Sequence, residues 1–216
     1  MSKSKNILYR VIRTLGKPVF GIVYRPKIIG SNNIPMVEGA VIAGNHKHAL
    51  DPILIDICTK RIVHTLAKKE LHDGKFGFIF RSVGTIPVDL HSKENRQALY
   101  MAIEVLKSNH LVNVSPEAKR NYSNELLLSF KYGAVSMAQK TGVPIIPYAI
   151  TGEYKLFSKN LTVIFGKPIY INEKELYDSN KFLYNSIKEL LIAVMDEKEL
   201  KSKHITSFDE WSKLNV

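Results

Sequence analysis

The chain has 216 residues, 45% hydrophobic and 24% charged, the balance of one globular domain large enough to bury its own core. Its 31 Lys and Arg against 20 Asp and Glu leave a net charge of +11, which favours anionic partners such as nucleic acid, anionic lipid, phosphorylated substrates or acidic carrier proteins. No nucleic-acid motif accompanies the charge, so no nucleic acid is expected as partner. The single cysteine, Cys58, excludes an internal disulfide and reads as a buried structural thiol in a reducing, cytosol-facing compartment.

In residues 1–25, Ile7, Leu8, Val11, Ile12 and Leu15 recur at helical spacing among Lys3, Lys5, Arg10, Arg13 and Lys17. Gly16 and Pro18 are expected to interrupt the helix before a second apolar piece, Val19 to Tyr24. A secretory signal would need a longer apolar core and a small-residue cleavage site. No window holds the roughly 18 uninterrupted apolar residues of a transmembrane helix. Two readings stand: a basic amphipathic helix lying in a membrane interface, or a helix packed on the domain.

Residues 26–201 are expected to form the main domain and 202–216 a loosely ordered tail. Short apolar runs bounded by turn residues predict strands over 27–30, 40–43, 61–66, 84–89, 111–115, 144–150 and 161–165. Helical periodicity predicts helices over 52–59, 95–107, 130–140 and 173–201, the last with its longer part starting at Asn180. The alternation predicts an α/β fold, a mixed, mainly parallel sheet flanked by helices. Sites in such folds lie beyond the carboxyl ends of the strands. Gly44-Asn-His-Lys-His-Ala-Leu-Asp-Pro52 and Ser115-Pro-Glu-Ala-Lys-Arg120 occupy such ends.

The first of these stretches admits three readings. His46, His48 and Asp51 carry metal-ligand atoms, although the remaining histidines stand singly. Asp51 before Pro52 is a common helix cap. A turn at Pro52 could instead bring Asp51 to the His46 imidazole, holding one ring nitrogen protonated so that the other accepts a proton. On spacing alone, capping is the commoner arrangement.

Further stretches bear on the choice. Asn45-His-Lys-His-Ala-Leu-Asp51 matches an NHxxxxD motif. Lys68-Lys-Glu-Leu71 with Gly77 and Gly84-Thr-Ile-Pro-Val-Asp89, then Ser115 to Arg120, Phe130-Lys-Tyr-Gly-Ala134, Val143-Pro-Ile-Ile-Pro147 and Phe165-Gly-Lys-Pro-Ile169 follow in order. In this ordered set, from about residue 26 to about 170, the chain resembles the bacterial 1-acylglycerol-3-phosphate acyltransferases, the PlsC-type glycerolipid acyltransferases.

The resemblance implies transfer of a fatty acyl group from an acyl thioester to the free hydroxyl of lysophosphatidic acid, giving phosphatidic acid for phospholipid biosynthesis. It implies His46 as general base and Asp51 as its orienting carboxylate. It implies Arg120, Lys69, Lys119 and Arg81 as cations for the acceptor phosphate. Glu117 would accept from acceptor hydroxyls or order the loop, and His48 would be a bystander. Acyl carrier protein or coenzyme A would carry the thioester, with no resident cofactor. The site would work at an anionic membrane surface, peripherally on the cytoplasmic face of the cell membrane.

Four positions depart from the family pattern. Ser115, Ala118 and Lys119 replace its Phe, Gly and Thr, and Leu90 stands where Arg often follows Pro-Val-Asp. Another acceptor, glycerol 3-phosphate or a different lysophospholipid, is the alternative they motivate. A lipid-binding relative without activity is a further one.

Overall fold

The computed structural model describes residues 3–75, 77–89, 95–171 and 175–210, with side chains from residue 13 onward. Leu90 and the end of the expected tail, 211–216, lie outside the described residues, as do the side chains of Ile7, Leu8, Val11 and Ile12. Among the described residues seven strands form one sheet in the order β1-β7-β6-β2-β5-β3-β4. They are β1 (Lys27–Ile29), β2 (Ala40–Gly44), β3 (Val63–Lys68), β4 (Ile86–Val88), β5 (Leu111–Val114), β6 (Ile145–Thr151) and β7 (Thr162–Phe165). Only β6 and β7 pair antiparallel; the other neighbours are parallel. The predicted mixed, mainly parallel sheet is observed.

Alternating residues of the central strands feed two cores. Val41, Ala43, Val112 and Ala149 face α5 (Arg96–Lys107), α6 (Gly133–Thr141) and α7 (Leu176–Val194), where Ala102, Met137 and Ile187 close the layer. Ala40, Ile42, Leu111 and Tyr148 face the other side. There α1 (Lys3–Tyr24) contributes Phe20, and α2 (Asp51–Ile57) contributes Leu54 and Ile55. Strands buried on both faces read as near-continuous apolar runs, which is why β2, β6 and, apart from Asn113, β5 are legible without alternation.

The topology positions the site. After β2 the chain crosses by α2 to β3 on one side of β5. After β5 it crosses by α6 to β6 on the other side of β2. The connections diverge between β2 and β5, and their carboxyl ends there open a crevice at the switch point.

Several expectations need correction. α1 runs without a break through Gly16 and Pro18. Proline removes one main-chain hydrogen bond there, but Arg13 and Phe20 pin the helix to the domain on both sides of it. Residues 69–82 hold two short helices, α3 (Lys69–Asp73) and α4 (Gly77–Ser82), each too brief to show a period. α6 starts at Gly133 rather than at residue 130, because Phe130 turns inward against Tyr184. Asn180 lies inside α7, fully buried, and donates to Phe130 O. α7 stops at Val194, and α8 (Glu197–Lys201) follows, capped by Asp196. The expected tail returns to the domain. Leu126 donates to His204 O, and Phe208 is buried against Tyr177 and Tyr184.

Candidate active site

β2 is buried throughout and ends at Gly44. A Cβ there would overlap the Tyr148 ring and carbonyl, so glycine lets β2 and β6 meet closely. Asn45 extends the pairing by side chain: Oδ1 accepts from Ile150 N–H at 2.8 Å and Nδ2 donates to Ile150 O at 2.9 Å. His46 then leaves the sheet from a backbone gripped on both sides. Its N–H donates to Glu117 Oε1 at 2.9 Å, and its carbonyl accepts from Asn121 N–H at 2.8 Å.

Asp51 gathers four donors. Oδ2 lies 2.8 Å from His46 Nδ1 and accepts from the N–H groups of Lys47 and His48 at 2.8 Å each, while Oδ1 accepts from the Tyr154 hydroxyl at 2.6 Å. The side chain is only 2% exposed, and a buried carboxylate needs such partners to stay ionised. Asp51 is the first residue of α2, and Leu50 precedes it without a side-chain cap. The carboxylate turns back onto the loop. The capping arrangement favoured by spacing is therefore corrected: Asp51 holds the histidine.

The geometry defines the imidazole's chemistry. With Nδ1 facing the carboxylate, that nitrogen carries the proton and Nε2 presents a lone pair. His48 turns elsewhere. Its Nδ1 accepts from Leu50 N–H at 3.2 Å, and its ring stacks on Tyr154 at 4.5 Å. Its N–H supports Asp51 directly, and its ring packs on Tyr154, the other side chain that holds Asp51. Among the described residues no group of three or more His, Cys, Asp or Glu is placed to hold a metal ion.

Glu117 lies beneath the loop, 3% exposed. Oε1 takes the His46 N–H and Oε2 the Leu128 N–H, each at 2.9 Å. Burial pushes its carboxyl up to about 7, while those two N–H groups act the other way and the Asp51 charge adds to the rise. Of its two expected roles, the geometry supports ordering the loop. The oxygens expected to meet acceptor hydroxyls are already engaged by backbone. The next residue, Ala118, sits at φ 56°, a left-handed conformation costly for any residue with a Cβ. It turns the loop so that Ala118, Lys119 and Arg120 are exposed.

The expected phosphate ligands are spread around this edge. Lys119 and Arg120 follow β5, and the Arg120 guanidinium lies 5.4 Å over the Tyr122 ring. Lys69, exposed, opens α3 directly after β3. Arg81 donates to the His72 carbonyl, which engages part of its guanidinium. Among the described residues no hydrogen bond or ion pair ties these four to His46 or Asp51. Cys58 donates to Leu54 O at 3.0 Å, and burial pushes its thiol up to about 12.

Tyr154 was not found from the sequence. It sits in a polar loop after β6 with no motif around it, and only the fold brings it 103 residues back to Asp51. Its ring also meets Phe20 and Tyr24 of α1 edge-on, at 6.4 and 5.7 Å. One side chain thus touches both the N-terminal helix and the carboxylate behind His46.

A family model described as Acyltransferase matches residues 25–151, which includes His46, Asp51 and Glu117 and stops just before Tyr154. The chain is 30% identical over 176 residues to a 1-acyl-sn-glycerol-3-phosphate acyltransferase of Borreliella burgdorferi, covering 81% of this chain and 70% of that protein. It is 27% identical over 169 residues to a Bacillus subtilis protein of the same name, covering 76% and 83%. The crystal structure of the 1-acyl-sn-glycerophosphate (LPA) acyltransferase PlsC from Thermotoga maritima aligns with a TM-score of 0.69 at 24% identity, covering 94% of this chain and 83% of that one.

Proposed function

The chain belongs to the acyltransferase family, and from that premise we propose that it transfers a fatty acyl group from an acyl thioester to the hydroxyl of lysophosphatidic acid, forming phosphatidic acid. The observation that carries the reading is the His46–Asp51 contact of 2.8 Å at the carboxyl end of β2. An alcohol is too weak an acid to ionise unaided at neutral pH. His46 Nε2 removes its proton as the oxygen attacks the thioester carbon. Asp51, fixed by its other donors, stabilises the imidazolium that forms. As the tetrahedral intermediate collapses, the C–S bond breaks and the thiolate leaves with the proton from Nε2. The ester product carries the acyl group, and the imidazole is neutral again.

Glu117 and Asn121 hold the His46 backbone on both sides, so the base needs no rearrangement before reaction. Arg120, with its neighbour Lys119 and with Lys69 at the start of α3, receives the acceptor phosphate, Arg120 by its planar pair of donors; Arg81 is a lesser contributor. Acyl carrier protein or coenzyme A delivers the acyl group, both being anionic partners for a chain of charge +11.

The acceptor and product are lipids, and the reaction takes place at the cytoplasmic surface of a membrane. Among the described residues no helix is long and apolar enough to cross one. α1 combines two expected features: Phe20 and Arg13 pack on the domain, while Leu15, Val19 and Ile22 form an exposed apolar row, each at least 60% exposed. That row lies in the interface of an anionic bilayer.

Purified protein incubated with labelled acyl thioester and a panel of lysophosphatidic acid, glycerol 3-phosphate and other lysophospholipids tests the assignment. Phosphatidic acid is expected as the main product. Preferred transfer to another acceptor would assign the altered 115–120 loop to that head group. No transfer to any acceptor would overturn the reading.

A further inference from the structure

α1 borders a second concavity at the opposite ends of the strands. It is a cleft of about 640 Å³ between α1 and the turns entering β3 and β5, lined among others by Arg13, Lys17, Pro18, Lys60, Arg61 and His110. Among the described residues no Asp or Glu lines it. α2 separates it from the pair described above: Asp51 opens that helix, and Asp56, beside Arg13, lies near its end.

Arg61 is held by dipoles. Its guanidinium donates to the carbonyls of Pro35, Glu38, Val37 and Asn109. Four backbone oxygens satisfy its N–H groups without neutralising its charge. Arg13 donates to Arg61 O at 2.7 Å and Asp56 O at 2.8 Å, and approaches the Asp56 carboxylate at 3.6 Å. Lys17 and Lys60 form no ion pair among the described residues. Against these four cations stand Asp56 and, near Arg61, Glu38. Backbone carbonyls thus hold the charge of Arg61, and in part that of Arg13, at the wall of the cleft, while Lys17 and Lys60 keep their ammonium donors for an anion.

The position of α1 indicates where the anion comes from. Leu15, Val19 and Ile22 share one exposed face. At about 100° per residue, Pro18 lies roughly 40° from Ile22 around the helix, and Pro18 also lines the cleft. The mouth therefore opens beside the apolar row. A helix that lays this row among acyl chains carries the cleft to the level of the phosphates.

We infer that the cleft binds the phosphate of an anionic lipid head group, with Lys17 reaching it from α1 and Lys60 from the turn before β3. This inference rests on the membrane-surface reading above. The site holds a lipid that is not the acceptor and orients the protein on the bilayer.

Vesicle co-sedimentation tests it, with vesicles of phosphatidylcholine alone and of phosphatidylcholine with phosphatidylglycerol. The full chain is compared with Lys17→Gln/Lys60→Gln, with Leu15→Ser/Val19→Ser, and with Lys140→Gln/Lys167→Gln, which removes equal charge elsewhere. The wild type is expected to prefer the anionic vesicles by about tenfold or more. The cleft variant loses most of that preference and keeps its binding to neutral vesicles, while the charge control keeps both. Equal loss in the cleft variant and the control reports general attraction and overturns the site. Loss of binding to both vesicles in Leu15→Ser/Val19→Ser reports the helix alone and supports the membrane reading on which the site rests. If the wild type binds neither vesicle, the membrane reading fails and with it the lipid as ligand. Inorganic phosphate protecting Lys17 and Lys60 from acetylation would then support the anion site with free phosphate as its source, and no protection would overturn the site as well.

Discussion

The Tyr154 hydroxyl donates to Asp51 Oδ1 at 2.6 Å, the carboxylate oxygen that His46 does not use. The bond holds Asp51 from the side opposite the loop and keeps Oδ2 directed at the imidazole. Removing it in Tyr154→Phe leaves a buried carboxylate oxygen without its donor and keeps the ring contacts with His48, Phe20 and Tyr24. A hydrogen bond to a charged group contributes roughly 1.5–3 kcal/mol. The expected result is a kcat lowered about tenfold to a hundredfold with KM little changed. A lowered melting temperature with unchanged kcat at saturating substrate would make Tyr154 structural only.

Arg120 is exposed beside Tyr122 and follows the loop that carries Glu117. If it receives the acceptor phosphate, Arg120→Gln raises KM for lysophosphatidic acid by about tenfold or more and leaves kcat within a few-fold. An acceptor analogue lacking the phosphate should show no such difference between the two proteins. An unchanged KM would remove Arg120 from the acceptor site.

Glu117 makes stability depend on pH. Its carboxyl titrates at about 7 when folded, against 4.5 as the ordinary value. Between those values the folded chain binds more protons than the unfolded one. Its contribution is therefore fully present below about 4.5 and is lost as pH rises through about 7. The shift corresponds to on the order of 3 kcal/mol. Burial lowers the pKa of His64 and His72, which act in the opposite sense and cancel when two variants are compared. Urea unfolding at pH 5 and pH 8 should show wild type losing stability relative to Glu117→Gln at the higher pH. The same pH dependence in both proteins would contradict the assignment.

Much of the architecture was legible because β2 and β6 are continuous apolar runs, β5 is apolar apart from Asn113, and α5 carries a clean helical period. His46 and Asp51 were legible through their motif, yet spacing alone favoured a cap. The deciding facts are the hydrogen bonds of Asp51, which depend on how residues 46–51 fold back. Tyr154 left no signal, since its role comes from a loop that packs across the sheet onto both α1 and Asp51. The short α3 and α4 carry too few residues for a period. Pro18 misled because contacts of Arg13 and Phe20, distant in sequence from their partners, outweigh one lost hydrogen bond. Arg61 read as one basic residue among many, and its ring of backbone carbonyls is a product of tertiary structure.

The central claim is that His46, oriented by Asp51, is the base for acyl transfer. The most direct test is turnover of lysophosphatidic acid with carrier-protein and coenzyme A thioesters, comparing wild type with His46→Ala and Asp51→Asn. Loss of a general base costs about 10²–10⁴-fold, so His46→Ala should lose at least about a hundredfold in kcat. Asp51→Asn should fall into a similar range, with folding retained in both by circular dichroism. A folded His46→Ala protein that turns over at the wild-type rate would contradict the account.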